Sequence, residues 1–322
     1  MKKILFIVPV IAFLVLLFSH PGDVASGCTR GLTLWYTAVL PSLLPFMIVS
    51  NLLVATGMFR YLNPFYAPVL KRIFRISEEG CYAVVVGFLC GFPMGAKVMG
   101  DLVEKREISS AEGSYLLGFC NNVSPAVFLN YICLSKLGCR SVPWKLVLLF
   151  YGLPLAYGFF TRPLYHFPGS DSGSFAPAAG REKKQASLHR LDFPMLDACM
   201  MDGFSTITRL GGYIMLFTIL VQFLKLLPLS PSLLALLSGV LEISCGIDQI
   251  ASAASFSPAV RTALVCTCAA WGGACICAQT KSVLAGTPLS VRTWLRGRIT
   301  LALLAFLLVQ LPAAAPVPYG CW

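Results

Sequence analysis

The sequence predicts an all-α polytopic membrane protein with about nine hydrophobic segments, arranged in two pseudo-symmetric repeats that contain discontinuous or re-entrant helices. Hydrophobic residues make up 57% of the chain and charged residues only 12%, against roughly 25% charged residues in an average soluble domain. Each half of the chain also contains apolar segments interrupted by Gly, Pro or polar side chains. Interruptions at membrane depth need other protein or a water-filled cavity to satisfy the freed backbone, and paired interruptions in two halves are typical of a transporter's binding site.

The predicted segments follow from length, since about 20 apolar residues cross the hydrocarbon core. They are residues 4–19, 32–57, 80–100, 114–134, 144–161, 205–227, 232–251, 259–285 and 294–311. We interpret the first as an uncleaved helix with Lys2 and Lys3 on the cytoplasmic side, in preference to a signal peptide. Between the second and third segments, the aromatic and basic residues of Phe59 to Ile76 favour a position in the headgroup layer.

A polar linker divides the chain into four predicted parts. These are an N-terminal membrane anchor (1–30), a first repeat (31–162), the linker (163–200) and a second repeat (201–322). The distance between the two interruptions is nearly equal in both repeats, from Gly87 to Asn121 and from Gly239 to Gly272. The pattern leaves open whether the repeats are inverted or parallel, and on which side of the membrane the linker lies.

The net charge of +11 comes from basic clusters between apolar runs, which is typical of positive-inside loops and not of a nucleic-acid-binding face.

Most of the 13 cysteines lie inside apolar runs, where cysteine acts as a small hydrophobe. Their spacing, with no nearby histidine, does not fit a zinc site, so we expect no metal and no cofactor. The chain contains no phosphate-binding, HExxH or GxSxG motif, and we expect no catalytic residue and no enzymatic activity.

In the first repeat, the sequence GFPMGAK contributes the candidate substrate-binding residues Gly91, Pro93, Gly95 and Lys97. Pro93 is expected to start a helix and to leave the next amides unpaired at the positive end of its dipole, which attracts carboxylates. The alternative is that Lys97 extends to the membrane interface and the glycines permit close helix packing.

The second interruption contributes Asn121, Asn122 and Ser124, placed before the helix-breaking Pro125 so that the amides can face a cavity. Hydrogen bonding between helices is the alternative role. The corresponding candidates in the second repeat are Gly272, Gly273 and Gln279.

Glu242 lies in the middle of the apolar sequence LLSGVLEISCG, where a carboxylate is costly. Two roles for it are equally open: ion coupling, or a buried ion pair with Lys97 or Lys281. Residues so far apart in the chain can pair only if the fold brings their helices together.

The ordered motifs PSLLPF, GFPMGAK, DLVEKREIS, LLGFCNNVSP, GGYIMLF, LEISCG and WGGACICAQTKSVLAGTPLSVRTWLRGR, from about Thr37 to Leu308, resemble those of the YlbJ family of sporulation integral membrane proteins. That family lies within the wider group that shares the Gate domain of nucleoside and ferrous-iron transporters. The chain departs from the family pattern at Cys90-Gly91-Phe92-Pro93, where Ser-Gly-Tyr-Pro is usual, and at Cys277, where a His usually precedes the Gln.

The resemblance implies a multi-pass protein of the mother-cell (outer forespore) membrane that moves dipicolinic acid. Two alternatives stay open: transport of a nucleoside or related metabolite, and a non-transporting scaffold for spore-envelope assembly. The expected partners are the lipid bilayer and a small-molecule substrate, for which an anion fits the residues, and no nucleic acid. The sequence does not decide whether the chain forms a homo-oligomer.

Overall fold

The computed structural model describes residues 2–167 and 192–310, with side chains from Ile7 onward. Most of the predicted linker, including the basic cluster around Arg181, lies outside the described residues. Within them the secondary structure is helical, with no strand.

The described chain contains fourteen α-helices, two π-helical segments and two 3-10 turns. The first half contains α1 (Lys2–Ser19), α2 (Pro21–Leu34), α3 (Leu40–Thr56), α4 (Asn63–Phe74), α5 (Glu78–Leu89), α6 (Met94–Glu104), α7 (Ser110–Leu117), a π-helical segment (Val127–Lys136, here the π segment) and α8 (Trp144–Thr161). A π-helical turn (Trp35–Val39) joins α2 to α3, and 3-10 turns occupy Met58–Tyr61 and Arg162–Leu164. The second half contains α9 (Phe193–Leu224), α10 (Pro231–Leu241), α11 (Ile243–Ser252), α12 (Pro258–Trp271), α13 (Gly273–Val283) and α14 (Val291–Val309).

The long helix α9 packs antiparallel along the continuous path of α2 and α3. Glycines permit this close approach, because a Cβ on Gly27 would lie 2.8 Å from the Ile219 Cα. Further along the same contact, Trp35 donates its indole N–H to the Ile207 carbonyl at 2.9 Å. At the far end, Asn51 donates to the Cys199 carbonyl at 3.2 Å. These contacts make α9 and the path of α2 and α3 one scaffold.

Two helical hairpins pack beside this scaffold. In hairpin 1, α5 and α6 fold back on each other, and a Cβ on Gly95 would lie 2.9 Å from the Gly87 Cα. In hairpin 2, α10 and α11 do the same, and a Cβ on Gly246 would overlap the backbone of Gly239. Each hairpin is followed in the chain by an interrupted helix, α7 with the π segment in the first half and α12 with α13 in the second.

The hairpins lie at opposite ends of the first interrupted helix. Hairpin 1 starts beside α7, since the Ser77 amide donates to the Glu112 carboxylate at 2.7 Å. Hairpin 2 lies beside the π segment, where Lys136 Nζ is 2.6 Å from Asp248 of α11. Arg162, after α8, donates to the Phe74 carbonyl at 2.9 Å and so returns the chain to the end where hairpin 1 starts.

Each predicted hydrophobic segment falls on helical structure, but the segments at 80–100 and 232–251 are hairpins and not single helices. Four helical stretches are long and apolar enough to cross a membrane: Pro21–Thr56, Trp144–Leu164, Phe193–Leu224 and Pro258–Val283. Three shorter apolar helices are Ile7–Ser19, Val127–Lys136 and Pro231–Leu241. The described chain is therefore membrane-like, while the count of nine segments and the two repeats stay predictions.

Helix α9 begins at Phe193, so the last residues of the predicted linker 163–200 are helical. The reason is local: the Asp192 side chain accepts a hydrogen bond from the Met195 amide at 2.9 Å, and Pro194 stands in the first turn, where it costs no hydrogen bond. The predicted boundary at 30/31 likewise falls inside α2.

The segment predicted to lie in the headgroup layer forms α4 and the turn before it. Phe65 and Val69 expose most of their side chains, at 85% and 60%. Lys71 and Arg72 occupy the last turn, where cations suit the helix dipole. An amphipathic helix of this composition fits the membrane surface, and its location there stays a prediction.

We predict that Gly246→Ala destabilises the protein by about 2 kcal/mol or more, because the new methyl group overlaps backbone that cannot move independently of hairpin 2. The matched control is Gly212→Ala on α9, where a Cβ meets nothing within 4 Å. There the change should be neutral or stabilising by up to about 1 kcal/mol. Thermal unfolding in detergent measures both, and equal melting temperatures for the two variants would contradict the hairpin contact.

We also predict that exposed residues at the two ends of the bundle react from opposite sides of the membrane. The pair to compare is Glu107→Cys, in the loop after α6, and Arg140→Cys, in the loop after the π segment. Impermeant maleimide applied to right-side-out and inverted vesicles should label each cysteine in one orientation only. Glu107→Cys shares its end with Lys71, Arg72 and Arg162, and Arg140→Cys shares the other end with Arg30 and Lys136, so the expected result is labelling of the two cysteines from opposite sides. Labelling of both cysteines from the same side would overturn the arrangement of the hairpins.

Candidate functional site

The tip of hairpin 1 lies against the interruption that follows α7. The tip contains Gly91, at φ 80°, and a cis peptide bond between Phe92 and Pro93. A Cβ on Gly91 would lie 2.5 Å from the Ser124 amide nitrogen, and one on Gly87 would overlap the Cys120 carbonyl. A residue with a side chain at position 91 would both strain the backbone and force the tip away from Ser124.

The helix break before Pro125 occurs where the sequence predicts it, with residues 121–124 in non-helical conformation. Asn121 is fully buried and links three elements, since its Oδ1 accepts from the Ala96 amide and its Nδ2 donates to Thr280 Oγ1, both at 3.4 Å. Ser124 is half-buried, and its hydroxyl accepts from the Val127 amide at 3.4 Å at the start of the next helical segment.

The interruptions of the second half also meet. Gly272 and Gly273 separate α12 from α13, with φ angles of 86° and 83°. A Cβ on Gly273 would lie 3.0 Å from the Leu241 carbonyl, at the tip of hairpin 2. A Cβ on Gly272 would lie 3.4 Å from the ring of Phe92, at the tip of hairpin 1.

All four interruptions therefore converge on one interior region. The structure brings together the candidates Gly91, Pro93, Gly95, Asn121, Asn122, Ser124, Gly272 and Gly273. Gln279 is also buried, one turn after Cys275, to whose sulfur it donates at 3.2 Å. Lys281 is exposed near the end of α13 and lies away from this buried region.

The amides after Pro93 are less available than the sequence predicts. Helix α6 does begin directly after Pro93, but the Met94 amide donates to the Gly91 carbonyl at 2.9 Å and the Ala96 amide is used by Asn121. The tight turn and the neighbouring interruption supply these acceptors, which sequence spacing alone cannot reveal. The prediction that the amides after Pro93 are unpaired is therefore wrong for Met94 and Ala96.

Lys97 is buried but already has partners. Its ammonium lies 2.9 Å from carboxylate oxygens of both Asp101 and Asp202, and it donates to Asn51 Oδ1 at 3.3 Å. Two carboxylates more than match its charge, so Lys97 joins α6 to α3 and α9 in this structure. Its contact with a substrate anion stays a prediction, one that requires these bonds to open.

The predicted ion pair of Glu242 with Lys97 or Lys281 is absent from the described residues. Glu242 instead begins α11, because its carboxylate accepts from the Cys245 amide at 2.7 Å. It is only 2% exposed, at the tip of hairpin 2. A buried carboxylate without a cation partner leaves the ion-coupling role open as a prediction.

A second charged cluster, which the sequence analysis did not single out, surrounds Asp248 on α11. Its carboxylate pairs with Arg30 of α2 and with Lys136, and it accepts from the Tyr131 hydroxyl at 2.9 Å. The cluster connects hairpin 2 to α2 and the π segment. Arg30, Asp248 and the π segment that contains Tyr131 and Lys136 are far apart in the chain, so no local spacing signals the contact.

Sequence reasoning also missed Arg298 and Trp294 on α14. Arg298 is 1% exposed and Trp294 is fully buried, and both side chains face Phe92 at the tip of hairpin 1. Arg298 Nη1 donates to Asn122 Oδ1 at 2.7 Å, and Asn122 Nδ2 donates to the Phe119 carbonyl at 2.7 Å. An arginine inside an apolar segment, as in the run RGRITLALLAF, is a signal that could have revealed this residue.

The fold and this buried region define a class: a polytopic α-helical membrane protein in which two hairpins and two interrupted helices share one interior contact. The chain is 24% identical over 324 residues to the sporulation integral membrane protein YlbJ of Bacillus subtilis (strain 168), covering 91% of this chain and 78% of that protein. This similarity supports the YlbJ family that the sequence motifs indicate. No protein-family model matches it. No solved structure matches it either.

We predict that Lys97→Met lowers stability by about 1–3 kcal/mol, because it leaves the Asp101 and Asp202 carboxylates facing each other without a cation. The lower end reflects the half-exposed Asp202, whose charge water screens. The double variant Lys97→Met/Asp202→Asn should recover part of the loss. Thermal unfolding in detergent tests this, and a single variant as stable as wild type would show that the cluster contributes nothing.

Proposed function

We propose that this protein is a carrier that moves a small solute across the mother-cell (outer forespore) membrane during sporulation, with dipicolinate as the solute. The observation that supports it most is the convergence of four chain interruptions on one interior region. Interrupted helices near the centre of a bundle are a common way to expose backbone and polar side chains to a transported solute. The relative's printed name supports the link to sporulation.

The order of elements supports a two-repeat carrier. Each half has a hairpin followed by an interrupted helix and then a long helix, α8 or α14, and the two hairpins lie at opposite ends of the bundle. Inverted repeats of this kind allow one half to move against the other around a fixed central site. In this proposal the ion pairs of Lys97 and Asp248 hold the hairpins in one state and must exchange during transport.

A scaffold for envelope assembly would need the apolar outer surface of the bundle but not its interior polar groups. The described residues include buried Asn121, Asn122, Gln279 and Arg298 around the interruptions. Asn121, Asn122 and Gln279 are hydrogen-bonded within the protein, whereas Nε and Nη2 of Arg298 have no partner among the described residues. A buried donor costs free energy unless it is paired or used, so Arg298 favours transport over a purely architectural role.

The test is flux through liposomes that contain the purified protein. We expect saturable uptake of radiolabelled dipicolinate above protein-free liposomes. If Glu242 couples transport to a cation, then Glu242→Gln should abolish accumulation against a gradient and keep some exchange. Uptake of uridine without dipicolinate would overturn the solute but keep the carrier. A folded protein that moves neither solute would overturn transport and favour the scaffold.

A further inference from the structure

The guanidinium of Arg298 has an unused edge. Its Nη1 donates to Asn122, whereas Nε and Nη2 are buried and have no hydrogen-bond partner in the part of the chain that the structure describes. The N–H groups of Nε and Nη2 point the same way, and such an edge binds a carboxylate through two parallel hydrogen bonds. Asn122 thus accepts from Nη1 and leaves Nε and Nη2 of the guanidinium available for the carboxylate.

The charge of Arg298 is also unmatched. No ion pair of Arg298 occurs within residues 2–167 and 192–310. Arginine does not lose its proton in proteins, so the burial of this side chain places a full positive charge in the interior. The ring of Phe92, 5.8 Å from the guanidinium carbon, offers a cation–π contact but no counter-charge. The site therefore favours an anion over a neutral solute.

Trp294 provides an independent observation one helical turn earlier. Its indole N–H is buried and has no partner among the described residues. Its ring packs edge-on against Phe92, with ring centroids 6.3 Å apart. Buried Trp N–H groups usually find a hydrogen-bond partner. Arg298 and Trp294 both contact the hairpin 1 tip, and both have buried N–H groups without an acceptor among the described residues.

We propose that the Nε–Nη2 edge of Arg298 binds a carboxylate group of the transported solute, beside the indole N–H of Trp294. This inference rests on the proposed carrier function and specifies its substrate class, a small carboxylate. Phe92 lies over the site, so movement of the hairpin 1 tip controls entry. Two glycines permit close packing around this site. Gly272 lies next to Phe92, and a Cβ on Gly297 of α14 would overlap the Gly118 carbonyl.

The experiment measures equilibrium binding of dipicolinate, its mono-acid picolinate and uridine to the purified full chain in nanodiscs. Wild type should bind both acids. Arg298→Gln should weaken acid binding by about ten- to a hundredfold, the equivalent of one charge-assisted contact. The matched control is Arg296→Gln, an exposed arginine two residues away on the same helix, which should leave binding unchanged.

Asn122→Asp provides a nearly isosteric second variant. A carboxylate at this position would supply Arg298 with a counter-charge from inside the protein, so acid binding should fall. Aspartate cannot donate the hydrogen bond that Asn122 gives to the Phe119 carbonyl, so the melting temperature serves only to confirm that the variant is folded. If Arg298 has only a structural role, acid binding stays unchanged. Arg298→Gln that binds acids as wild type does would likewise overturn the site.

The outcomes also separate this inference from the proposed function. Acid binding that depends on Arg298, without flux in liposomes, would support the site and reject the carrier. Flux of uridine without any acid binding would reject the site and support the carrier. Absence of acid binding to folded wild-type protein would overturn the inference.

Discussion

The structure depends on the satisfaction of backbone groups at its four helix interruptions. In a bilayer the freed amides and carbonyls have no water to bind, so each must find a partner within the protein or a cavity. The Met94 amide uses the Gly91 carbonyl, the Ala96 amide uses Asn121, and the Cys245 amide uses Glu242. The first and third of these bonds close a hairpin tip on itself, whereas the bond to Asn121 joins the hairpin 1 tip to the interruption that follows α7.

Close contact at this meeting point requires glycine. A hairpin tip can reach another backbone only where no Cβ intervenes, as at Gly91 against Ser124 and Gly246 against Gly239.

Hairpin 1 also brings two basic parts of the chain to one end of the bundle. A hairpin returns to the end from which it entered, so α4 and the end of α8 lie together although several helices separate them in the chain.

Three buried or half-buried charged clusters differ in how well their positive and negative side chains match. Lys97 is matched by two carboxylates, and Asp248 is matched by two cations, so both clusters are bonded within the protein. Within the described part of the chain, the hydrogen-bonded partner of Arg298 is a single neutral amide. A buried charge without a counter-charge destabilises the folded protein. We therefore propose Arg298, and not Lys97, as the residue that binds the substrate carboxylate.

The sequence by itself determined the class of protein, the positions of the interruptions and most members of the candidate site, because hydrophobic length, Gly, Pro and adjacent amides act locally. Its motifs also indicated the resemblance to the YlbJ family, which the similarity to the Bacillus subtilis protein supports. Only the tertiary structure decided which charges pair: Lys97 meets Asp202 across more than a hundred residues of chain, and Glu242 has no cation partner among the residues that the structure describes. It likewise decided that Arg298 is buried at the centre, because side-chain pairing depends on which helices pack together, and one-dimensional spacing does not encode that.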